Sequence, residues 1–389
     1  MAVFGIIAEY NPFHNGHKYQ IDAIKSSGEH TVVVVMSPNV VQRGDFAILD
    51  KWTRTRAALL NGADLVLELP SPFALATAEK FSKGATQILH NLGCVDFLCF
   101  GSESGNLEAL SAAASLIDDA DVMARARELL KDGITFAKAR SLAVNEKSSD
   151  AAKVLETPND ILAVEYIRSL KKLGSSIKPY PILRKGSGHE SKTPVDNIAS
   201  ASFIREAFTE DTIKSFTPES ELYLSEIKAG NVSEGIDSLS SALLLKLRLM
   251  TSEQIANLPD VSEGLENRIL RAAKEAKSLD ELCSILKTKR YTLSRIRRIL
   301  MYALLSFSKQ NDIENVPYIR VLGHNQKGLE IISRKTAQIP VITSLARARE
   351  ISKEAELLSK IEENCTAAFE LTLKSKTAKN EFTTQPIRI

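Results

Sequence analysis

Apolar residues in this chain come first in short unbroken runs and later in longer stretches at helical spacing. Val3–Ala8, residues 31–36 (TVVVVM), 63–70 (ADLVLELP) and 94–101 (CVDFLCFG) are compact and mostly β-branched or aliphatic. Such runs read as strands covered on both faces of a parallel sheet. Between them, residues 17–26, 50–61 and 73–91 read as helices, with Gly62 stopping the second. Strand alternating with helix predicts right-handed crossovers and a doubly wound α/β fold. Thr157-Pro158 opens another helix, with Thr157 as the expected N-cap, and Leu162, Tyr166, Leu170 and Leu173 follow at helical spacing before Gly174. Residues 177–183 (IKPYPIL) read as a strand too rich in proline for a central position unless the prolines fall at its ends. Residues 186–200 read as a loop, and a helix begins near Ser202.

Beyond about residue 210 the pattern turns helical. Tyr318–Leu322 and Pro340–Thr343 are the exceptions, expected as a small appended strand unit before a C-terminal helix. The expected division is an α/β domain over 1–208 and a mainly helical domain over 209–389, with the strand unit near 317–343.

Composition adds bounds rather than chemistry. A chain of 389 residues exceeds one average domain, and 44% apolar with 25% charged residues is an ordinary globular balance. The net charge of +2 favours no partner, so charge has to be read locally. Cys94, Cys99, Cys283 and Cys365 are scattered, with no histidine or second cysteine pair at metal-ligand spacing. Reduced core thiols are expected, without zinc or disulfides. No stretch reads as a signal peptide or membrane span, so a soluble cytoplasmic protein without a membrane partner is expected.

The candidate chemistry follows the first strand. Residues 9–17, EYNPFHNGH, stand where an open sheet presents strand ends and helix N-termini to ligands. His14 and His17 bracket Asn15-Gly16. The glycine permits close approach of a phosphate, and the two imidazoles can face one anion and stabilise charge developing on a phosphoryl group. An incidental strand-to-helix turn is the competing reading, which the position between strand and helix disfavours.

HNGH resembles the H-x-G-H signature of the nucleotidyltransferase superfamily, and SASFIR (200–205) is similar to its later Ser/Thr-rich turn, with Ala201 where a hydroxyl residue often stands. Longer stretches extend the likeness: residues 5–17, 36–47, 51–70, 100–103, 157–170 and 290–305 look like those of the bacterial tRNA(Met) cytidine acetate ligases. The resemblance implies a Rossmann-like, HIGH-type domain that activates acetate with ATP and acetylates N4 of the wobble cytidine of elongator tRNA(Met). It implies catalytic roles for His14, His17, Ser202 and Arg205. It implies ATP contacts from Ile7, Ala8, Glu9, Tyr10, Asn11, Pro12, Phe13, His14, Asn15, Gly16, His17, Lys18, Tyr19 and Gln20, and from Gly101, Asn159 and Arg184. ATP then enters as a substrate with Mg2+, and no zinc or tightly bound organic cofactor is implied.

Other residues are open to two readings. Gln42-Arg43-Gly44 follows the second strand, where an arginine can meet phosphate or carboxylate or simply lie in a turn. Lys51, Arg54 and Arg56 share a helix, and at least one is expected on a solvated face. His189 is expected to be a loop histidine, and His30, His90 and His324 carry no partner pattern.

From Cys283 to Asn311 there is no Asp or Glu, while Lys287, Lys289, Arg290, Arg295, Arg297, Arg298 and Lys309 fall inside. Leu293, Ile296, Leu300 and Leu304 are expected as the buried stripe, with Arg295, Arg298 and Tyr302 on another face. Lys289, Arg290, Arg295, Arg297 and Arg298 thus form a candidate tRNA surface, with tyrosines available to stack on bases. Pairing with acids from elsewhere in the chain is the alternative. A small-molecule adenylyltransferase, or a non-catalytic RNA-binding protein on the same fold, are the competing functions.

Overall fold

The computed structural model describes residues 1–185, 194, 196–262, 264–289 and 291–389, and its centre is a sheet of eight strands. The order across it is Ile387–Arg388, Ile319–His324, Leu65–Glu68, Thr31–Met36, Val3–Ala8, Phe97–Ser102 and Lys178–Leu183, and Val341–Ile342 pairs with Ile319–His324 off this path. Leu65–Glu68 through Lys178–Leu183 all run parallel. Val32–Met36 is wholly buried, as a β-branched run covered on both faces must be. Lys178–Leu183 lies at the sheet edge, where Pro179 and Pro181 leave no central ladder bond unmade.

The chain starts in the middle of the sheet, builds outward to Leu65–Glu68, then crosses back to add Phe97–Ser102 on the other side of Val3–Ala8. Strand direction of travel therefore reverses between Val3–Ala8 and Phe97–Ser102, and the crevice beyond their carboxyl ends is where such sheets bind ligands.

The strand unit expected as an appendage belongs to this same sheet. Ile319–His324 pairs antiparallel with Leu65–Glu68, and Ile387–Arg388 pairs with it in turn. The cause lies in side chains that sequence spacing does not connect. Arg320, 1% exposed, meets Glu68 at 2.9 Å and Glu381 at 2.6 Å, while buried Lys51 reaches Glu381 at 2.7 Å and also pairs with Glu68. The sheet thus draws strands from both sides of residue 208.

Two more expectations are adjusted. The helix expected over 73–91 is split into Ser71–Ala74 and Ala78–Leu92. Thr157 sits at the N-cap position of helix Pro158–Lys172, but its hydroxyl caps nothing. The Glu103 carboxylate does so instead, accepting from the Asn159 N–H at 3.3 Å and the Asp160 N–H at 2.9 Å.

Candidate active site

The HNGH turn is built by its own histidines. Helix Asn15–Ser26 begins with His14 as N-cap, whose Nδ1 accepts the Gly16 N–H at 3.0 Å. The His14 N–H donates to His17 Nδ1 at 3.3 Å, closing a reciprocal cap. With both Nδ1 atoms accepting, both protons sit on Nε2, and each ring keeps one N–H donor. The rings stack with centroids 3.8 Å apart, and the Tyr10 ring meets His17 edge-on at 4.7 Å. Burial, aided by the charges of Arg184 and Arg205, pushes the His14 pKa down to about 3. Burial and the neighbouring His14 hold His17 well below the ordinary value too. Neutral imidazoles, not imidazolium ions, face the ligand.

The loop before them is fastened from behind. Arg54, with no exposed surface, donates to the carbonyls of Glu9 (2.6 Å), Ser37 (3.0 Å), Leu49 (2.9 Å) and Pro38. It locks the carboxyl ends of the first two strands together. Lys51 and Arg54 are therefore buried anchors, and of the three cations on that helix only Arg56 lies exposed. Asn11 Oδ1 accepts the Ile48 N–H at 2.7 Å, and Arg205 Nη1 reaches the Asn11 carbonyl at 2.6 Å. Arg205 Nη2 donates to Ser202 Oγ at 3.2 Å, so the SASFIR helix, Ala201–Glu206, is clasped to the HNGH loop across nearly two hundred residues. Ser200 caps that helix through its Oγ, supplying the hydroxyl that Ala201 lacks one place later.

On the other flank, Gly101 lets Arg184 lie against the strand end: a Cβ there would stand 3.2 Å from Arg184 Cγ. The Arg184 N–H is fixed to the Ser102 carbonyl at 3.0 Å. Asp160, buried, accepts the Ser102 hydroxyl and the N–H groups of Glu103 (3.0 Å) and Ser104 (3.1 Å), while Glu103 takes the Asn159 amide at 2.5 Å. This reciprocal pair of acids fixes Asn159 beside Gly101.

These groups converge on one cleft of about 740 Å³. It is lined by Ile7, Ala8, Glu9, Tyr10, Asn11, His14, His17, Gln20, Gly101, Asn159, Arg184, Ser202 and Arg205 among the expected residues. Gly16 and Tyr19 line a smaller recess adjoining the histidines. Pro12, Phe13, Asn15 and Lys18 do not face the cleft. Phe13 is in the core, Asn15 Nδ2 bonds the Asn197 carbonyl at 2.8 Å, and Lys18 pairs with Asp22 at 2.8 Å. Among the described residues Glu9 is the one acidic residue of the cleft's lining, against Arg43, Arg184, Arg205 and Arg298. A cationic cleft with neutral N–H donors is suited to a polyphosphate.

The model of the HIGH Nucleotidyl Transferase family matches residues 1–384. The tRNA(Met) cytidine acetate ligase of Thermoanaerobacter sp. (strain X514) is 42% identical over 377 residues, covering 92% of this chain and 93% of its own. That of Clostridium kluyveri (strain ATCC 8527) is 37% identical over 411 residues, covering 100% and 99%. Thermotoga maritima TmcAL in its apo crystal form is 31% identical over the whole of both chains, with a TM-score of 0.94. The same protein bound with alpha-thio ATP gives 0.91. The chain belongs to the tRNA(Met) cytidine acetate ligase family.

Within this ligase-family chain, the basic segment is only partly the surface expected. Helix Leu293–Leu305 does approach the cleft, with Thr292, Ser294 and Arg298 lining it. Acids from elsewhere answer its arginines, however. Arg297 pairs with Asp45 at 2.7 Å and Asp237 at 3.2 Å, and Arg298 with Asp260 at 3.0 Å. Arg295 donates to the Asp260 carbonyl at 2.7 Å. Lys289 is exposed, and Arg290 lies outside the described residues, as does His189. Tyr302 is buried with its hydroxyl on the Leu75 carbonyl at 2.8 Å, Tyr291 is buried under the Arg295 guanidinium, and neither lines the cleft. The buried stripe is Ile296, Ile299, Leu300 and Ala303, whereas Leu293 is 42% exposed.

Sequence reasoning missed Arg54, Glu103 and Asp160 as organisers of the site. A carboxylate at the end of the fourth strand, with Asn-Asp opening a later helix, was the available signal for the last two.

Proposed function

We propose that this protein activates acetate with ATP as acetyl-adenylate and acetylates N4 of the wobble cytidine of elongator tRNA(Met). The observation that carries the first half is the neutral pair His14 and His17, stacked at the mouth of a cationic cleft at the sheet's crossover point. An acetate oxygen attacks the α-phosphorus, an O–P bond forms, and the bond to pyrophosphate breaks. Nε2–H groups of His14 and His17 donate to the phosphoryl oxygens as charge develops, without proton transfer. Arg184 and Arg205 balance the charge of the departing pyrophosphate, and the Arg205 clasp keeps Ser202 within reach of the phosphates. Positioning and electrostatics suffice for such a transfer.

Mg2+ would enter with the triphosphate and offset its charge there. Among the described residues no cluster of three metal-ligating side chains exists, and Glu9 is the single carboxylate in the cleft. That donor set fits an ion that brings phosphate and water ligands with it. In the second half the N4 amine attacks the acetyl carbonyl, a C–N bond forms, the anhydride C–O bond breaks, and AMP leaves as the amine loses a proton. Lys289, Arg290, Arg295, Arg297 and Arg298 are the tRNA-phosphate contacts of this reading, Arg297 exchanging Asp45 and Asp237, and Arg298 exchanging Asp260, for phosphate oxygens. Such an enzyme works in the cytoplasm. Among the described residues no helix is long and apolar enough to cross a membrane.

ATP–pyrophosphate exchange with acetate as the variable, followed by transfer of labelled acetate to tRNA, tests the reading. Exchange independent of acetate refutes the ligase, and exchange without transfer to any RNA points to a small-molecule adenylyltransferase.

A further inference from the structure

The anion-binding groups do not account for the whole cleft. Phe81, Phe100 and Tyr166 also line it, the last two with ring centroids 6.0 Å apart, and aromatic walls suit a base rather than a triphosphate. The same cleft contains Gln42, whose side-chain amide nitrogen is buried without a hydrogen-bond partner among the described residues. Leaving a buried amide unmet is unfavourable, so the group is built for an acceptor that arrives with a ligand.

The turn that carries Gln42 is held rigidly. The Gln42 N–H donates to Glu9 Oε1 at 2.8 Å. Gly44 has φ +80, and a Cβ there would lie 2.4 Å from the Arg297 carbonyl carbon and the Arg298 nitrogen. The turn is thus pressed against the basic helix on one side and tied to the end of the first strand on the other. Glu9 also bears electrostatically on the Tyr166 hydroxyl, which places carboxylate, amide and aromatic wall in one neighbourhood.

Adenine at N1 and N6 and cytosine at N3 and N4 share one pattern of acceptor beside amine, and one donor, one carboxylate and aromatic faces match the edge and plane of cytosine. That base offers acceptors at O2 and N3 and an amine donor at N4, and a carboxylate is a natural acceptor for the amine. Bases taken out of a strand are gripped by stacking and by hydrogen bonds to this edge. Uracil would set its N3–H against the Gln42 donor and its O4 against the Glu9 carboxylate.

We propose that this part of the cleft seats the extruded target cytosine, with Gln42 donating to its O2/N3 edge, Glu9 accepting from N4, and Phe81, Phe100 and Tyr166 packing on its face. The proposal rests on the cytidine-acetylating reading and adds the groups that recognise the base, which that reading leaves unnamed. Glu9 holds the amine beside the loop that carries His14 and His17, where the acetyl-adenylate forms.

The test compares Gln42→Ala and the volume-preserving Gln42→Glu with the wild type in both half-reactions. The acceptor RNAs are anticodon stem-loops carrying either C or U at the wobble position. Both variants are expected to lose roughly ten- to a hundredfold in kcat/KM for acetyl transfer. The KM for ATP in acetate-dependent exchange is expected to move less than about threefold. Retained exchange also certifies that the variants fold. The wild type should bind the C stem-loop more tightly than the U stem-loop, and the variants should lose that ratio. Equal loss in exchange and transfer would assign Gln42 to the nucleotide and overturn the proposal, as would an unchanged C-to-U ratio. Absence of acetate-dependent exchange in the wild type would instead overturn the ligase reading itself.

Discussion

Replacing His14 by asparagine separates what this residue does for the fold from what it does for the reaction. Asparagine is a good N-cap and can still accept the Gly16 N–H, so the start of helix Asn15–Ser26 survives. It has no titration in the accessible range and no Nε2–H to offer. In the wild type the imidazole is held from its ordinary 6.5 down to about 3 by burial and by Arg184 and Arg205. The unfolded chain therefore binds a proton in this interval that the folded chain refuses. The stabilisation is complete above pH 6.5 and is lost as pH falls towards about 3. One pH unit within the window is worth ~1.4 kcal/mol for one group, so acidification from pH ~7 to ~5 takes about 2 kcal/mol from the wild type through His14 alone. The carboxylates titrate in both proteins and cancel in the comparison. Urea unfolding at both pH values, followed through the single, buried tryptophan Trp52, measures the difference. His14→Asn should lose about 2 kcal/mol less than the wild type on acidification, and its acetate-dependent exchange should fall by roughly 10²–10³, the usual cost of one transition-state donor. Parallel pH profiles for the two proteins would refute the buried neutral imidazole.

Other perturbations probe separate parts of the structure. Glu381→Ala leaves Lys51 and Arg320 short of a carboxylate in the core and should destabilise the protein by ~3–5 kcal/mol, read from urea midpoints; a loss below about 1 kcal/mol would mean that the cluster is not buried as described. Gly44→Ala forces a left-handed residue against the Arg297–Arg298 backbone, and should cost ~1–3 kcal/mol in stability and reduce acetyl transfer more than exchange. Gly101→Val should displace the Arg184 side chain and raise the KM for ATP about tenfold with the melting temperature little changed.

The legible part of the site was the part written in consecutive residues. HNGH carries its own geometry, because His14 caps the helix that His17 opens, and Ser200 to Arg205 do the same for their turn. The basic helix was visible as an acid-free window but its partners were not, because Asp45, Asp237 and Asp260 reach it from distant segments. Arg54 could not be told from its neighbours Lys51 and Arg56, of which at least one was expected on a solvated face. Its burial follows from three carbonyl oxygens presented by the ends of two neighbouring strands, with a fourth from Leu49, an arrangement that exists only once those strands pair.

The same distinction holds for the whole chain. Local sequence determined the parallel α/β core, the anion-binding turn after its first strand and the proline-bearing edge, since hydrophobic period, capping and backbone freedom act over a few residues. Tertiary structure alone decided that Ile319–His324 completes the sheet, that Glu103 rather than Thr157 caps the Asn159 helix, and that Arg205 closes on Asn11. Those outcomes depend on buried charges and carbonyls finding partners 57, 194 and 252 residues away. No periodicity records such a pairing, because the desolvation that enforces it arises only when the distant segments meet.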